Sequence, residues 1–217
     1  MEEAQDLQLA GWTLKVRPPA QGNEPHPVIF LIHGWTGDER SMWVFAQRMP
    51  RAALLIAPRA PFVSNNPDFG GFSWVESRAA EFSRLPAFDP AVEAFDDLLA
   101  ALAAHYPAAA FTRFGLVGFS QGGAFGFAYA MRHPQKVSRL AALAGFLPSG
   151  SDVQLSVLEN IPVLIAHGSK DETVPVTKAR EAQTAFAQAG VALQYCEADT
   201  GHKLGAKCFT QLAEFFR

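Results

Sequence analysis

The segment Gly118-Phe119-Ser120-Gln121-Gly122 matches the pattern G-x-S-x-G, in which a serine occupies a tight turn between a strand and a helix. Such a turn strains the serine backbone, and the flanking glycines leave room for the neighbouring strand and helix. The apolar residues 114–117 favour a buried strand before the turn, and residues 124–131 favour a helix after it. The pattern therefore predicts that the Ser120 hydroxyl stands above a sheet, where it could act as a nucleophile.

A serine hydroxyl is a weak nucleophile at neutral pH, so it needs a base to take its proton and an acid to orient that base. Of the six histidines, only His202 follows the acid candidate Asp171, and it lies on a glycine-containing loop after the last predicted strand. Asp171 lies on the loop that follows the apolar run 163–166. We therefore predict a catalytic triad of Ser120, Asp171 and His202.

Asp199 is the alternative acid, but it lies on the same loop as His202, three residues before it. An orienting carboxylate normally approaches the base from a separate loop, which favours Asp171. Asp171 could instead be a turn or helix-capping residue. His202 could likewise be an ordinary surface histidine.

Attack on a carbonyl also requires two backbone N–H donors for the oxyanion. Gln121, directly after the serine, supplies the first donor in this pattern. Trp35 is predicted to supply the second, because it follows the apolar run 28–32 and Gly34 allows close approach. The Trp35 indole would lie beside the substrate, although it could also be a core aromatic. We expect His33 to be a hydrogen-bonded structural residue.

Apolar runs alternate with amphipathic segments along the chain. Strands are predicted at residues 28–32, 53–57, 114–117, 140–143, 163–166 and 191–196, with one half-exposed edge strand at 7–16. Helices are predicted at residues 42–49, 89–106, 124–131, 176–189 and 204–216. This alternation predicts an α/β protein with a mostly parallel central sheet and helices on both faces, with residues 1–217 as a single domain. Residues 59–88 lack periodicity and are rich in aromatics, which is typical of a functional loop or lid.

The composition restricts the partners. Eighteen basic and 21 acidic residues give a net charge of −3, which does not favour a nucleic-acid partner. The chain has no metal-binding spacing, no Walker A loop and no Rossmann fingerprint, so we expect no metal and no cofactor. The uncharged residues 114–131 fit a strand, turn and helix better than a membrane span. The sequence indicates no oligomeric state.

The first residues are acidic and polar and lack the features of a signal peptide, so we expect a soluble cytoplasmic protein. There are two cysteines, Cys196 and Cys208. Cys208 lies on the apolar side of the last helical pattern. This position favours a buried thiol over a disulfide or a nucleophile.

Several segments together resemble the phospholipase/carboxylesterase family. They are Leu31-Ile32-His33-Gly34-Trp35, Ala57-Pro58-Arg59-Ala60-Pro61, Gly118-Phe119-Ser120-Gln121-Gly122-Gly123, His167-Gly168-x-x-Asp171-x-x-Val174-Pro175 and Gly201-His202. The order Ser, Asp, His is also that of α/β-hydrolases. The resemblance implies an α/β-hydrolase fold with little or no cap domain. It also implies hydrolysis of carboxylic esters, with thioesters as a further substrate class, through an acyl-enzyme.

The resemblance also implies that the aromatic loop Phe72-Ser73-Trp74 lies beside the substrate. The predicted substrate-binding residues are Trp35, Phe72, Trp74, Phe119 and Val174. If the aromatic members point inward, they shorten the pocket, so we expect short or medium acyl chains. Two alternatives stay open: a peptidase or amidase on the same fold, and a binding module that has lost turnover.

Overall fold

The computed structural model describes residues 4–20, 24–77 and 82–217. The strands are β1 (Gln5–Leu9), β2 (Trp12–Arg17), β3 (Val28–Ile32), β4 (Leu54–Pro58), β5 (Phe62–Val63), β6 (Phe72–Ser73), β7 (Phe114–Phe119), β8 (Val137–Leu143), β9 (Val163–Gly168) and β10 (Leu193–Ala198). The α-helices are α1 (Asp89–His105), α2 (Gln121–Arg132), α3 (Val176–Gln188) and α4 (Ala206–Phe215). Short 3₁₀ helices occupy Trp43–Arg48, Leu85–Phe88, Pro134–Lys136 and Asp152–Leu158.

Eight strands form one sheet in the order β1-β2-β4-β3-β7-β8-β9-β10. The six strands from β4 to β10 in this order are parallel, whereas β1 and β2 pair antiparallel with their neighbours. Every residue of β3, β4 and β9 is buried, because layers of helix cover both faces of the sheet. The predicted α/β class and mostly parallel sheet are confirmed.

Alternate residues of β3 divide between two apolar layers. Val28, Phe30 and Ile32 face the layer that α1, α2 and α3 cover. Ile29 and Leu31 face the layer that α4 and the 3₁₀ helix Trp43–Arg48 cover. Because the six parallel strands all point the same way, the loops after β3, β7, β9 and β10 meet at one edge of the sheet. These loops carry the predicted triad and oxyanion residues.

The predicted edge strand at residues 7–16 is two strands. Ala10 and Gly11 have positive φ angles of 49° and 81°, and they turn the chain back so that β1 pairs with β2. The alternating apolar pattern continues through this turn, so periodicity alone does not show it. The predicted helix at 42–49 is only the 3₁₀ helix Trp43–Arg48.

Residues 59–88 add the β5–β6 pair and the 3₁₀ helix Leu85–Phe88 to the described part of the chain. Residues 78–81 of this predicted loop lie outside the described residues. In the described ranges, no helix has the length and apolar character needed to cross a bilayer.

The prediction of a buried thiol at Cys208 is wrong, because Cys196 and Cys208 form a disulfide. The burial itself is as expected, since each cysteine is 1% exposed. Cys196 on β10 faces the apolar layer that α4 covers, and Cys208 lies on the covering face of α4. The two side chains therefore meet in the interior, a pairing that depends on how α4 packs and not on its own apolar pattern.

Candidate active site

Ser120 lies in the tight turn between β7 and α2, with φ 52° and ψ −118°. A side chain at Gly118 would collide with the Gly122 carbonyl, and one at Gly122 would collide with the Ile32 carbonyl. The Ser120 N–H donates to the Leu143 carbonyl of β8 at 2.8 Å, which fixes the turn against the sheet. The strained strand-to-helix turn predicted from the sequence is therefore present.

Asp171 and His202 are in direct contact. His202 Nδ1 lies 2.7 Å from Asp171 Oδ2, and the Asp171 side chain is fully buried. The other oxygen, Oδ1, accepts the Thr173 and Val174 N–H groups at 2.9 and 2.8 Å. A carboxylate only accepts, so Nδ1 of His202 carries the proton in this contact. In a neutral imidazole this leaves Nε2 as a proton acceptor.

Asp199 is placed differently from Asp171. Its Oδ1 lies 2.8 Å from Lys170 Nζ, and its side chain is 73% exposed. Its carboxylate therefore faces solvent and a lysine. The geometry favours Asp171 over Asp199 as the partner of His202.

His167 is a buried neighbour of this contact, and the sequence analysis quoted it in a family segment without giving it a role. Its Nε2 lies 2.8 Å from the Val174 carbonyl and 3.4 Å from Asp171 Oδ2. A carbonyl only accepts, so Nε2 carries a proton. Burial lowers the pKa of His167, which favours the neutral ring. His167 thus supports the Asp171 loop, and its i,i+4 spacing from Asp171 is the sequence signal that could have identified it.

The loop after β3 lies against Ser120. A Cβ added to Gly34 would lie 3.3 Å from Ser120 Cβ, so glycine permits this close approach. The Thr36 N–H donates to the Phe72 carbonyl at 3.0 Å, and the Gly37 N–H donates to the Gly34 carbonyl at 3.0 Å. Trp35 is thereby held between two anchored residues, next to the serine.

His33 holds the same loop through two hydrogen bonds. The Ala60 N–H donates to His33 Nε2 at 2.9 Å, so Nδ1 carries the proton and donates to the Gly34 carbonyl at 2.7 Å. Burial lowers the pKa of His33 from 6.5 to about 4. His33 is therefore a neutral structural residue, as the sequence analysis expected.

Gln121 begins α2, so its backbone N–H is one of those without an acceptor inside the helix. This N–H and that of Trp35 are the two predicted oxyanion donors. The Gln121 side chain is buried, and its Oε1 accepts the Trp74 N–H at 2.9 Å. The side chain thus connects the serine turn to the segment directly after β6, a contact between distant parts of the chain that sequence reasoning missed.

A cavity of about 310 Å³ contains both Ser120 and His202. Its apolar side chains are Trp35, Phe69, Phe82, Phe119, Phe146 and Val174. Trp35, Phe119 and Val174 were among the predicted substrate-binding residues. The other three were missed, because Phe69 and Phe82 carry no periodic pattern and Phe146 lies in the loop after β8.

The other two predicted substrate-binding residues do not line this cavity. Trp74 is fully buried, packs on Phe125 with ring centroids 4.3 Å apart, and donates its indole N–H to the His33 carbonyl at 2.8 Å. Phe72 lies 4.6 Å from the Arg59 guanidinium and lines a different hollow. Neither residue is therefore brought to the cavity beside Ser120, and a contact of Phe72 or Trp74 with the substrate stays a prediction.

A second cavity, of about 530 Å³, lies on the other side of Trp35 and Phe119. Its walls include the apolar side chains of Met42, Val44, Phe45, Leu204 and Phe209. The serine turn therefore has an apolar hollow on each side of the wall that Trp35 and Phe119 form.

Comparisons with known proteins show which proteins this chain is similar to. The profile of the phospholipase/carboxylesterase family matches residues 16–217. A probable inactive carboxylesterase of Oryza sativa subsp. japonica is 32% identical over 91 residues, which cover 40% of this chain and 37% of that protein. A probable carboxylesterase of Arabidopsis thaliana, described as SOBER1-like, is 31% identical over 83 residues, covering 37% of this chain and 32% of that protein. The chain thus spans about a third of the length of the curated relatives that it matches.

Solved structures share the fold over nearly the whole chain. Esterase PE8 has a TM-score of 0.77 at 25% identity, covering 97% of this chain and 99% of its own. The Bacillus cereus carboxylesterase has a TM-score of 0.80 at 17% identity, covering 95% of this chain and 94% of its own. Because the Bacillus cereus protein is only 17% identical to this chain, its similarity shows the shared fold alone.

Proposed function

The chain belongs to the phospholipase/carboxylesterase family, and from that premise we propose that it hydrolyses carboxylic esters through an acyl-enzyme on Ser120. One observation carries the proposal. Ser120, on its strained turn, shares a cavity with His202, whose Nδ1 lies 2.7 Å from the buried Asp171 carboxylate. A nucleophile, a base and an orienting acid on three separate loops are the parts that this reaction needs.

In the proposed reaction, Ser120 Oγ attacks the ester carbonyl carbon while its proton moves to His202 Nε2. Asp171 keeps the Nδ1 proton in place and stabilises the imidazolium that forms. The carbonyl oxygen becomes an oxyanion, which the Trp35 and Gln121 N–H groups stabilise. The C–O bond to the alcohol then breaks, and the alkoxide takes the proton from Nε2. Water then attacks the acyl-enzyme in the same way, with His202 again taking and returning the proton, and the carboxylic acid is released.

We propose that the acyl chain occupies the 310 Å³ cavity beside Ser120. This volume lies at the small end of ligand pockets, which span about 300–1,000 Å³. Phe82 and Phe146 meet edge to face, with ring centroids 5.1 Å apart, and they form one wall. Short or medium acyl chains fit this enclosure. Thioesters are a further proposed substrate class, because a thiolate leaves the tetrahedral intermediate as an alkoxide does.

The central experiment is a hydrolysis screen over aryl esters of graded acyl length, with matched thioesters and amides. Ester turnover that Ser120→Ala abolishes supports the proposal, and turnover of amides alone would instead favour the peptidase or amidase alternative.

A fluorophosphonate probe tests the other alternative, a binding module that has lost turnover. That reading has a specific motivation, since one relative is described as inactive. Covalent labelling at Ser120 requires an activated nucleophile, so an unlabelled, folded protein would contradict the proposal.

The cytoplasmic location predicted from the sequence is opposed by one structural observation. Cys196 and Cys208 form a disulfide. Disulfides persist mainly in oxidising compartments and are rare in the cytoplasm. We therefore propose an oxidising environment for the folded chain. Thiol alkylation of protein taken from its native cells distinguishes the two: unmodified cysteines indicate the disulfide, and two alkylated cysteines indicate a reducing compartment.

A further inference from the structure

A cleft of about 600 Å³ lies at the edge of the sheet opposite Ser120. Val28 and Ile29 at the start of β3, Gly115 at the start of β7 and Arg139 at the start of β8 line it. The proposed active site lies at the carboxyl ends of the same strands. The cleft is therefore a separate feature of the molecule.

The charged side chains that line the cleft are all arginines. They are Arg48, Arg113, Arg139 and Arg217, and no aspartate or glutamate of the described part of the chain lines the cleft with them. Within the described ranges, none of the four takes part in an ion pair with a carboxylate. The whole chain has a net charge of −3, so this grouping is not a consequence of a basic composition.

Contacts with the protein position three of these guanidinium groups. The Arg48 guanidinium lies 5.8 Å from the centroid of the Phe209 ring. Arg139 donates from Nη1 to the Phe215 carbonyl, and its guanidinium lies 5.8 Å from the centroids of the Phe215 and Phe216 rings. Arg113 donates from Nε to the Val137 carbonyl at 3.4 Å. A guanidinium has five N–H donors, so each of these contacts leaves most of the donors for a ligand.

The remaining wall of the cleft is largely apolar. Buried Val28, Ile29, Met49, Ala53 and Phe216 contribute to it. An oxyanion group on an apolar or aromatic body would satisfy both parts of this lining. Planar guanidinium groups bind phosphate oxygens in pairs, and a phosphate dianion can engage several of them at once.

We propose that this cleft binds an organic phosphate, with the phosphate held by the arginines and the organic part against the apolar wall. The proposal is independent of ester hydrolysis, because it uses neither Ser120 nor its cavity. Binding is expected to weaken as salt is raised, since exposed guanidinium groups are screened.

Titration calorimetry of the full chain at low ionic strength tests the proposal with phenyl phosphate as the probe. Inorganic phosphate and phenol are the matched controls for its two halves. We expect saturable one-to-one binding of phenyl phosphate, weaker binding of inorganic phosphate and no binding of phenol. Absence of saturable binding at millimolar phenyl phosphate overturns the proposal. Equal affinity for inorganic phosphate overturns the organic part of it.

Variants locate the binding. Arg48 and Arg113 are exposed, so Arg48→Gln and Arg113→Gln should keep the fold, and each should weaken phenyl phosphate binding about tenfold. Lys207→Gln removes an exposed charge outside the cleft and should change the affinity less than twofold. An equal loss in Lys207→Gln would mean general charge attraction and overturn the site. Ser120→Ala should bind phenyl phosphate as the wild type does, and loss of binding there would assign the ligand to the active-site cavity instead.

Discussion

Cys196 and Cys208 are joined by a disulfide across a sequence separation of 12, and His202 lies midway between them. Cys196 belongs to β10 and Cys208 to α4, so the bond closes the base of the loop that carries the proposed catalytic base. His202 itself contacts Asp171 on the loop after β9. The position of the imidazole therefore depends on one covalent link and one hydrogen bond from different segments.

Removing this disulfide should lower stability and disturb His202. The bond restricts the unfolded chain, and a closed loop of this size contributes about 2–4 kcal/mol to the free energy of unfolding. We expect the double variant Cys196→Ala/Cys208→Ala to lose that amount in urea unfolding. We also expect kcat to fall more than KM rises, because the loop that orients the base becomes looser. Unchanged stability and unchanged kcat would show that the disulfide does not constrain this loop.

Ser120→Ala should lower kcat for ester hydrolysis by a factor on the order of 10⁴ or more, because triad members act as a unit. The circular dichroism spectrum and thermal midpoint should stay close to those of the wild type, since only a hydroxyl is lost. Turnover is measured with the aryl ester that the screen identifies. Wild-type rates in a folded Ser120→Ala protein would contradict the proposed mechanism.

Asp171 and Asp199 should differ sharply when each is changed to asparagine. Asp171→Asn can stabilise the wrong tautomer of His202, so kcat should fall by up to about 10⁴-fold. Asp199 pairs with exposed Lys170, and exposed ion pairs contribute about 0–1 kcal/mol, so Asp199→Asn should change kcat less than about tenfold. Both variants are compared with the wild type in the same buffer and at the same pH. A larger loss for Asp199→Asn would assign the acid role to Asp199.

The sequence specified the site best where a local motif restricts the backbone. Gly118 and Gly122 are required because any side chain there would collide with backbone atoms, so the turn could be predicted from its residues. Asp171 could be placed because it follows the buried strand β9, and His202 because it follows the last strand predicted from the sequence. By contrast, the contact between Phe82 and Phe146 joins segments far apart in the chain, and no periodicity encodes it. The burial of Trp74 likewise depends on how its loop packs over α2.

Stability should decrease as the pH falls from about 6.5 to 4. Burial lowers the pKa of His33 from 6.5 to about 4, so between these values the unfolded chain binds a proton that the folded chain does not. The stabilisation is therefore fully present above pH 6.5 and is lost as the pH approaches 4. Its size is about 3 kcal/mol. Urea unfolding at a series of pH values measures this slope.

A pair of histidine variants assigns the pH slope. His33→Gln should be less stable at neutral pH, but its stability should depend less on pH between 6.5 and 4. His105 is exposed, and His105→Gln should keep the wild-type slope. His167 has a pKa that burial also lowers, so part of the slope should remain in His33→Gln. A wild-type free energy of unfolding that is constant over this range would contradict the prediction.

Phe146→Ala should shift the acyl-chain preference toward longer esters. Phe146 is 6% exposed and closes one side of the 310 Å³ cavity with Phe82, so removing its ring lengthens the space available to the acyl chain. Each additional methylene that becomes buried contributes up to about 0.8 kcal/mol, or about fourfold in kcat/KM. The wild type should reach its maximum kcat/KM at short or medium chains, and Phe146→Ala should reach it at chains several carbons longer.

Val63→Ala is the matched control. Val63 is 72% exposed and does not line the cavity, so this variant should keep the wild-type profile. Two results would show that the acyl chain lies elsewhere: a wild-type kcat/KM that rises through sixteen carbons, or a chain-length profile that Phe146→Ala leaves unchanged. In either case, the 530 Å³ cavity beyond Trp35 would be the site of the acyl chain.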